Sequence, residues 1–272
     1  MSASMPSQSE PPAAELERLC QRFRSLHVPG DPLILPNGWD AATARAVEAA
    51  GFPAIATTSG GVAATLGYED HEGAPPTEML AAAGRMVRAV DLPVTVDAEA
   101  GYGMEAADLV AALREIGAAG CNLEDTNHAA GEQRDPAQHA EWLRSVREAA
   151  SSRKYDLLIN ARIDTYLGPL LSGADVSQAD LTDDALERAR AYVDAGADCV
   201  FPIALWEPDA LGRFLDQAPA PVNILRTPQA PSLTELADLG VARISWGGLL
   251  HRGTMEQFED VLSGVVAEAG AT

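Results

Sequence analysis

The chain has 272 residues and carries 40 acidic against 19 basic side chains, a formal net charge of −21. So acidic a surface repels phosphate backbones and anionic lipid, which excludes nucleic-acid and membrane-surface binding. Hydrophobic residues make up 47% and charged ones 22%, enough apolar mass for a large core, and no run approaches the ~20 apolar residues of a membrane span.

In chain order, residues 1–13 (MSASMPSQSEPPA) lack an apolar signal core or a basic leader and read as a disordered tail. A helix is expected over Ala14–Leu26. After it one rhythm repeats: a short apolar run, a polar or glycine-rich stretch, then an Ala/Leu/Glu/Arg segment with helical spacing. The first four units pair strands Leu33–Leu35, Ala54–Thr57, Val94–Asp97 and Cys121–Glu124 with helices Ala41–Ala50, Pro76–Val90, Glu105–Ile116 and Ala137–Ala150. The last four pair Leu157–Ala161, Cys199–Pro202, Val222–Leu225 and Ala242–Ser245 with Asp183–Ala195, Pro208–Gln217, Leu233–Leu239 and Met255–Ala267. Glycine closes several helices just before a strand, as in EAAGFPAI and VDAGADCV, where it accepts the left-handed conformation.

Eight βα units in about 250 residues predict a single (β/α)8 TIM barrel over residues 14–272. A doubly wound open sheet is the rival, and the Gly-x-Gly-x-x-Gly turn that would support it is missing after the first strand. Cys20, Cys121 and Cys199 are odd in number and have no metal-like spacing, so they read as core thiols of a cytoplasmic protein.

Barrel active sites lie at the C-terminal ends of the strands. There the sequence places Trp39, Ser59-Gly60-Gly61, Asp97-Ala98-Glu99, Glu124-Asp125, Arg162 with Asp164, Asn223, and Ser245. Asp97, Glu99, Glu124 and Asp125 should converge on one mouth, where a hard dication would relieve their repulsion. Asp97, emerging straight from an apolar run, is the best direct ligand. Ser59-Gly60-Gly61 suits an anion, because glycine lets backbone N–H groups approach closely. Arg162 reads either as a bidentate clamp on a carboxylate or as a barrel ion pair with Asp164, Glu124 or Asp40.

Four segments carry a family resemblance. LPNGWDAATARAVEAAGFPAIATTSGG, LPVTVDAEAGYG, AGCNLEDT and INARIDTYL occur in the order and with the separations found in the isocitrate lyase/phosphoenolpyruvate mutase superfamily, and together the chain resembles its members from Leu35 to about Gly248. The resemblance implies a Mg2+ site (Mn2+ as alternative) with Asp97 as ligand and Asp70, Glu99 and Glu124 holding its waters. It also implies that Ser59, Gly60, Gly61 and Arg162 hold the substrate's anion and that Trp39 lines the pocket. On residue chemistry alone Asp70, in GYEDHEG, reads as part of an acidic surface loop.

One departure bears on the reaction. Carbon–carbon lyases of this family carry Lys-Lys-Cys-Gly-His after the fourth strand; here the stretch EDTNHAAGEQRDPAQHAEW has neither Lys nor Cys, and it is short. His128 is the acid–base candidate that remains in it. The expected activity is cleavage or formation of a C–C bond beside the carbonyl of a small 2-oxo acid through a metal-stabilised enolate, on an oxaloacetate- or alkylmalate-like substrate. Phosphonomutase or phosphonopyruvate hydrolase chemistry is the alternative, and a non-catalytic ligand-binding barrel the third reading. The expected partner is a small 2-oxo acid or phosphonate. The resemblance also implies a homo-oligomer, a dimer or tetramer. The apolar stripe Phe258, Val261, Leu262, Val265 and Val266 on the last helix would suit either a swapped contact with a partner or the chain's own barrel.

Overall fold

The computed structural model describes residues 12–270; residues 1–11 of the expected tail lie outside them. Helix α1 (Ala13–Ser25) buries Leu16, Cys20 and Phe23 on one face. The chain continues through β1 (Leu33–Leu35), β2 (Asn37–Gly38), α2 (Ala41–Ala49), β3 (Ile55–Thr57), α3 (Ser59–Leu66), α4 (Pro76–Val87), β4 (Val94–Asp97), α5 (Ala106–Ile116) and β5 (Gly120–Glu124). Then come β6 (Thr126–Asn127), β7 (Glu132–Gln133), α6 (Pro136–Ser152), β8 (Leu158–Ile163), α7 (Leu167–Ser172), α8 (Gln178–Asp194), β9 (Cys199–Pro202), α9 (Pro208–Gln217), β10 (Asn223–Leu225), α10 (Leu233–Asp238), β11 (Arg243–Ser245) and α11 (Leu249–Ala269).

Parallel pairing runs β2-β3-β4-β5-β8-β9, and a single Val200–Val222 bridge carries it to β10-β11-β1. β1 and β2 form one strand interrupted at Pro36, which has no N–H to donate but still accepts from Ala56 N at 3.0 Å. The ring therefore closes as the expected (β/α)8 barrel. Asn37 pins the seam: its Oδ1 accepts from the N–H groups of Trp246 (2.8 Å) and Gly247 (2.9 Å), and its Nδ2 donates to Thr57 O at 2.8 Å. At the other end, α1 presses Phe23 against the start of β5, where a Cβ on Gly120 would sit 2.8 Å from the ring. No helix among the described residues is long and apolar enough to cross a membrane.

Four local features differ from the sequence reading. Ser59-Gly60-Gly61 is the first turn of α3 rather than an open turn. The glycine pair lowers helix propensity, but the helix buries Val62 and Ala63 and ends on Gly67 at φ 87°, so packing prevails. The stretch after β5 folds as the β6–β7 hairpin. A short helix, α7, follows β8. The last helix starts at Leu249, six residues before Met255, because Gly253 does not interrupt it. Met255, Phe258, Val261, Leu262, Val265 and Val266 on α11 are 42–61% exposed, an apolar face that nothing among the described residues covers.

His139 on α6 is fully buried against Tyr192 (ring centroids 4.9 Å apart) and Trp142 (5.7 Å), and neither ring nitrogen has a partner. Burial, aided by the charges of Arg134 and Arg188, pushes its pKa from 6.5 down to about 3. The unfolded chain thus takes up this proton at a higher pH than the folded one does. The associated stability is fully present above pH 6.5 and is lost as pH falls through 6.5 toward 3, at about 2 kcal/mol over the first 1.5 units. Thermal denaturation at pH 7.5 and 5.0 should show a smaller acid-induced fall in Tm for His139→Phe than for the wild type.

Candidate active site

The C-terminal strand ends surround a cavity of about 280 Å³. Ser59, Gly60, Asp70, Asp97, Glu99, Glu124 and Arg162 all line it, so most of the expected set meets in one place. Asp97 stands at the tip of β4. Its Oδ2 accepts from Ser59 N at 3.0 Å, its backbone N–H donates to Thr57 Oγ1 at 2.8 Å, and its Oδ1 is buried without a partner. With Ser59 N turned to Asp97 and Val62 N already bonded to Thr58 O, the N–H groups of Gly60 and Gly61 are those of the first turn of α3 with no intrahelical acceptor. A Cβ at position 60 would lie 2.7 Å from Asp70 Oδ2, so any larger residue there would displace that carboxylate.

Asp70 reaches the cavity because two loops clip together. Glu72 N donates to Glu99 Oε2 at 2.5 Å, and Tyr102 N donates to Glu72 Oε1 at 2.5 Å. His71, Glu72, Glu99 and Tyr102 all adopt left-handed backbone (φ 66°, 60°, 47° and 58°), a conformation that costs non-glycine residues energy and concentrates at functional sites. Asp70 Oδ1, like Asp97 Oδ1, is buried and unpartnered. Burial first, then the charge of Asp97, pushes Glu99 up to about 8.

Glu124, at the end of β5, is 2% exposed. Burial raises its pKa, while Arg162 and a hydrogen bond with His128 pull it down. Arg162 pairs with Glu124 through Nη1 and with Asp164 through Nε (2.6 Å) and Nη2 (3.1 Å). The structure thus realises the ion-pair reading of Arg162, a brace between two strand ends, with one edge still on the cavity. His128 Nε2 lies 2.5 Å from Glu124 Oε1. Burial opposes a charged His128 ring, but the bond and charge of Glu124 outweigh it and raise its pKa.

Five expected residues stand outside the cavity lining. Gly61 faces Thr58 and Trp39, where a Cβ would lie 2.7 Å from Thr58 Cγ2. Trp39 packs edge-on to His251 at 5.0 Å and lines a smaller neighbouring pocket. Asn223 is fully buried and accepts from Ser245 Oγ at 3.2 Å. His128 lines an adjoining chamber of about 380 Å³, between the β6–β7 hairpin and α7, which shares His71, Arg162 and Leu167 with the first. Asp125 also turns away from the mouth. It accepts from Asp164 N (3.0 Å), Tyr192 Oη (2.6 Å), Arg188 Nη1 (3.2 Å) and Gln133 Nε2 (3.0 Å), and so ties the hairpin to the loop that holds Arg162.

The phosphoenolpyruvate phosphomutase family model matches residues 23–266. The chain belongs to this family. A 2-methylisocitrate lyase of Bacillus subtilis (strain 168) is 31% identical over 215 residues, covering 76% of this chain and 66% of the relative. A phosphoenolpyruvate phosphomutase of Streptomyces hygroscopicus is 28% identical over 258 residues, covering 90% and 79%. Among solved structures, a candidate phosphonomutase from Burkholderia cenocepacia J2315 superposes with a TM-score of 0.83 at 40% identity, covering 90% of this chain and 99% of that one. Phosphoenolpyruvate mutase relatives thus include both lyases and mutases, and the chain is an enzyme of their superfamily.

Several cavity residues escaped the sequence reading. Asn122 on β5 and Trp246 after β11 line it. So does Arg252, in the first turn of α11, which makes no ion pair among the described residues; the late start expected for this helix had hidden it.

Among the described residues no three His, Cys, Asp or Glu groups come close enough to hold a metal ion together. The unpartnered oxygens of Asp97 and Asp70 and the mutual repulsion that helps raise Glu99 fit a single direct carboxylate ligand with water-mediated neighbours. Without divalent cation, Asp97→Asn removes a repelling charge while keeping an acceptor for Ser59 N. It should raise Tm by about 2–4 °C. Added Mg2+ should raise Tm for the wild type and leave the variant unchanged in differential scanning calorimetry.

Proposed function

We propose that the chain is a Mg2+-dependent (alternatively Mn2+-dependent) enzyme that cleaves a carbon–carbon bond at the carbon next to the carbonyl of a small 2-oxo acid, whether that acid is the substrate or the product. The supporting observation is the convergence of the unpartnered Asp97 and Asp70 oxygens, the N-terminus of α3 and Arg252 on one cavity. Asp97 would hold the ion directly, and Asp70, Glu99 and Glu124 through water. When bound, the ion supplies Lewis-acid stabilisation of the charge that develops on the carbonyl oxygen.

The chain's own groups do the rest. The N-terminus of α3, through the Gly60 N–H on the cavity wall, receives the substrate carboxylate, favoured there by the helix dipole. Arg252 at the rim supplies a second anion contact. With an oxaloacetate-like acid the breaking bond leaves its electron pair on the carbon beside the carbonyl, where it passes into the enolate, and the other fragment leaves as CO2. With an alkylmalate-like 2-hydroxy acid a site carboxylate takes the hydroxyl proton, the hydroxyl-bearing carbon becomes the carbonyl of the released 2-oxo acid, and the electron pair passes into the enolate of the departing carboxylate. The enolate carbon then takes a proton. His128, hydrogen-bonded to Glu124 at the junction of the two chambers, is placed to deliver it. The adjoining chamber, walled by Leu167, Pro169 and Leu171, has room for a departing fragment. That favours C–C cleavage over P–C cleavage of the compact phosphonopyruvate. Three free, buried cysteines fit a reducing cytoplasm.

With Mg2+, oxaloacetate- and alkylmalate-like acids should yield a 2-oxo acid in a coupled spectrophotometric assay, and EDTA should abolish the activity. Arg252→Ala should raise KM roughly tenfold, the loss of one charge-assisted contact, with a smaller effect on kcat. Turnover confined to phosphonopyruvate would instead select the P–C reading. The apolar face of α11 supports a homo-oligomer. Light scattering after size exclusion should show a dimer or tetramer that Phe258→Asp combined with Val261→Asp reduces to smaller species.

A further inference from the structure

Beneath the candidate site the barrel interior holds a guanidinium with no direct ion-pair partner among the described residues; Asp97 acts on it only through space. Arg243 on β11 is fully buried, and among the described residues it forms no salt bridge. Its Nη2 donates to Asn122 Oδ1 at 3.0 Å, while Nε and Nη1 find no acceptor. Asn160 Nδ2 donates to the same Asn122 oxygen at 2.9 Å. A guanidinium can only donate, so the Asn122 atom facing it has to be oxygen, and the orientation of this amide is fixed by chemistry. With that oxygen held by two donors from below, the NH2 group is the polar end left over. It has no acceptor among the described residues. Asn122 lines the cavity, in register with Asp97 of the adjacent strand.

We propose that Asn122 is a ligand-binding residue that donates through Nδ2 to an oxygen of the bound 2-oxo acid or its enolate, and that Arg243 and Asn160 are positioning residues that aim it. The inference rests on reading the cavity as a 2-oxo acid site. A cation at the carbonyl end of an amide polarises its N–H groups and makes them stronger donors. The charge of Arg243 is thereby relayed to the cavity floor through one side chain. An arginine at the strand ends, beside the carboxylates, is captured by them, as Arg162 is by Glu124 and Asp164, whereas Arg252 stands at the rim. One layer deeper, Arg243 has no carboxylate within bonding distance, and Asn122 is the side chain through which it is hydrogen-bonded toward the ligand. Burial lowers its pKa to about 10, so it remains a cation at neutral pH. A buried guanidinium without a counter-charge is destabilising, and a preorganised donor aimed at developing negative charge is a use that would retain it.

Titration calorimetry with oxalate, a planar mimic of a 2-oxo acid enolate, at saturating Mg2+ tests the proposal, with thermal melts of each variant alongside. Asn122→Ala should weaken oxalate binding roughly 10- to 100-fold, as expected for a hydrogen bond to a charged acceptor, and leave affinity for Mg2+ alone within about twofold. Asn122→Asp gives Arg243 the carboxylate it lacks. It should melt at or above the wild-type temperature yet lose oxalate binding, a divergence that a purely structural role would not produce. Arg243→Gln keeps a donor to Asn122 but removes the charge, and a roughly tenfold loss is expected; if it does not fold, the two Asn122 variants decide. Wild-type-like oxalate binding by Asn122→Ala or Asn122→Asp, or a parallel loss of Mg2+ affinity in Asn122→Ala, overturns the proposal. Wild-type-like binding by a folded Arg243→Gln overturns the positioning role. Failure of the wild type to bind oxalate overturns the 2-oxo acid reading itself, and the proposal with it.

Discussion

Repulsion among Asp97, Asp70, Glu99 and Glu124 is the constraint around which the rest of the mouth is arranged. Like charges at this spacing resist ionising together, and burial of Glu99 and Glu124 makes the conflict sharper. The protein meets it with several partial answers. Ser59 N takes one oxygen of Asp97, Glu72 N takes one of Glu99, and Arg162 and His128 take those of Glu124. What stays unanswered is one buried oxygen each on Asp97 and Asp70. Leaving such atoms unpaired costs stability, and affinity toward a cation is what the proposed function would gain from it.

Around this cluster runs a second layer of buried polar bonds. Asp125 joins the backbone of Asp164, the phenol of Tyr192, the guanidinium of Arg188 and the amide of Gln133. Asp164 in turn fixes Arg162, which fixes Glu124. The hairpin over the side chamber is therefore moored to the same network that orients the carboxylate on the cavity wall. Such networks hold a site to a fraction of an ångström when every member is satisfied.

The barrel was legible in the sequence because short apolar runs, helical spacing and glycine stops agree with one another, and each predicted strand lies within two residues of its observed ends. The site was legible in part. Asp97 and Glu124 announce themselves at strand tips. Asp70 could be reached only through family resemblance, since the left-handed backbone of His71 and Glu72 that swings it inward leaves no trace in residue type. Arg162 offered two roles, and which carboxylates surround it depends on register between strands. Asn122, Asn160 and Arg243 were invisible for a different reason. A polar residue alternating with apolar ones in a strand looks like a solvent-facing position, whereas inside a barrel that alternate face points to the interior.

The seam at Asn37 has a consequence for how the enzyme comes into being. Its bonds to Trp246 and Gly247 join positions 209 and 210 residues apart. During synthesis the first strand must wait for almost the whole chain before its asparagine finds these partners, and contacts of such long range form slowly. Arg252 and the start of α11 lie just beyond that seam. The rim of the mouth therefore depends on contacts that span most of the barrel's sequence. An incomplete barrel lacks the rim that completes the pocket, so a nascent or truncated chain offers a metabolite no fully built site to bind.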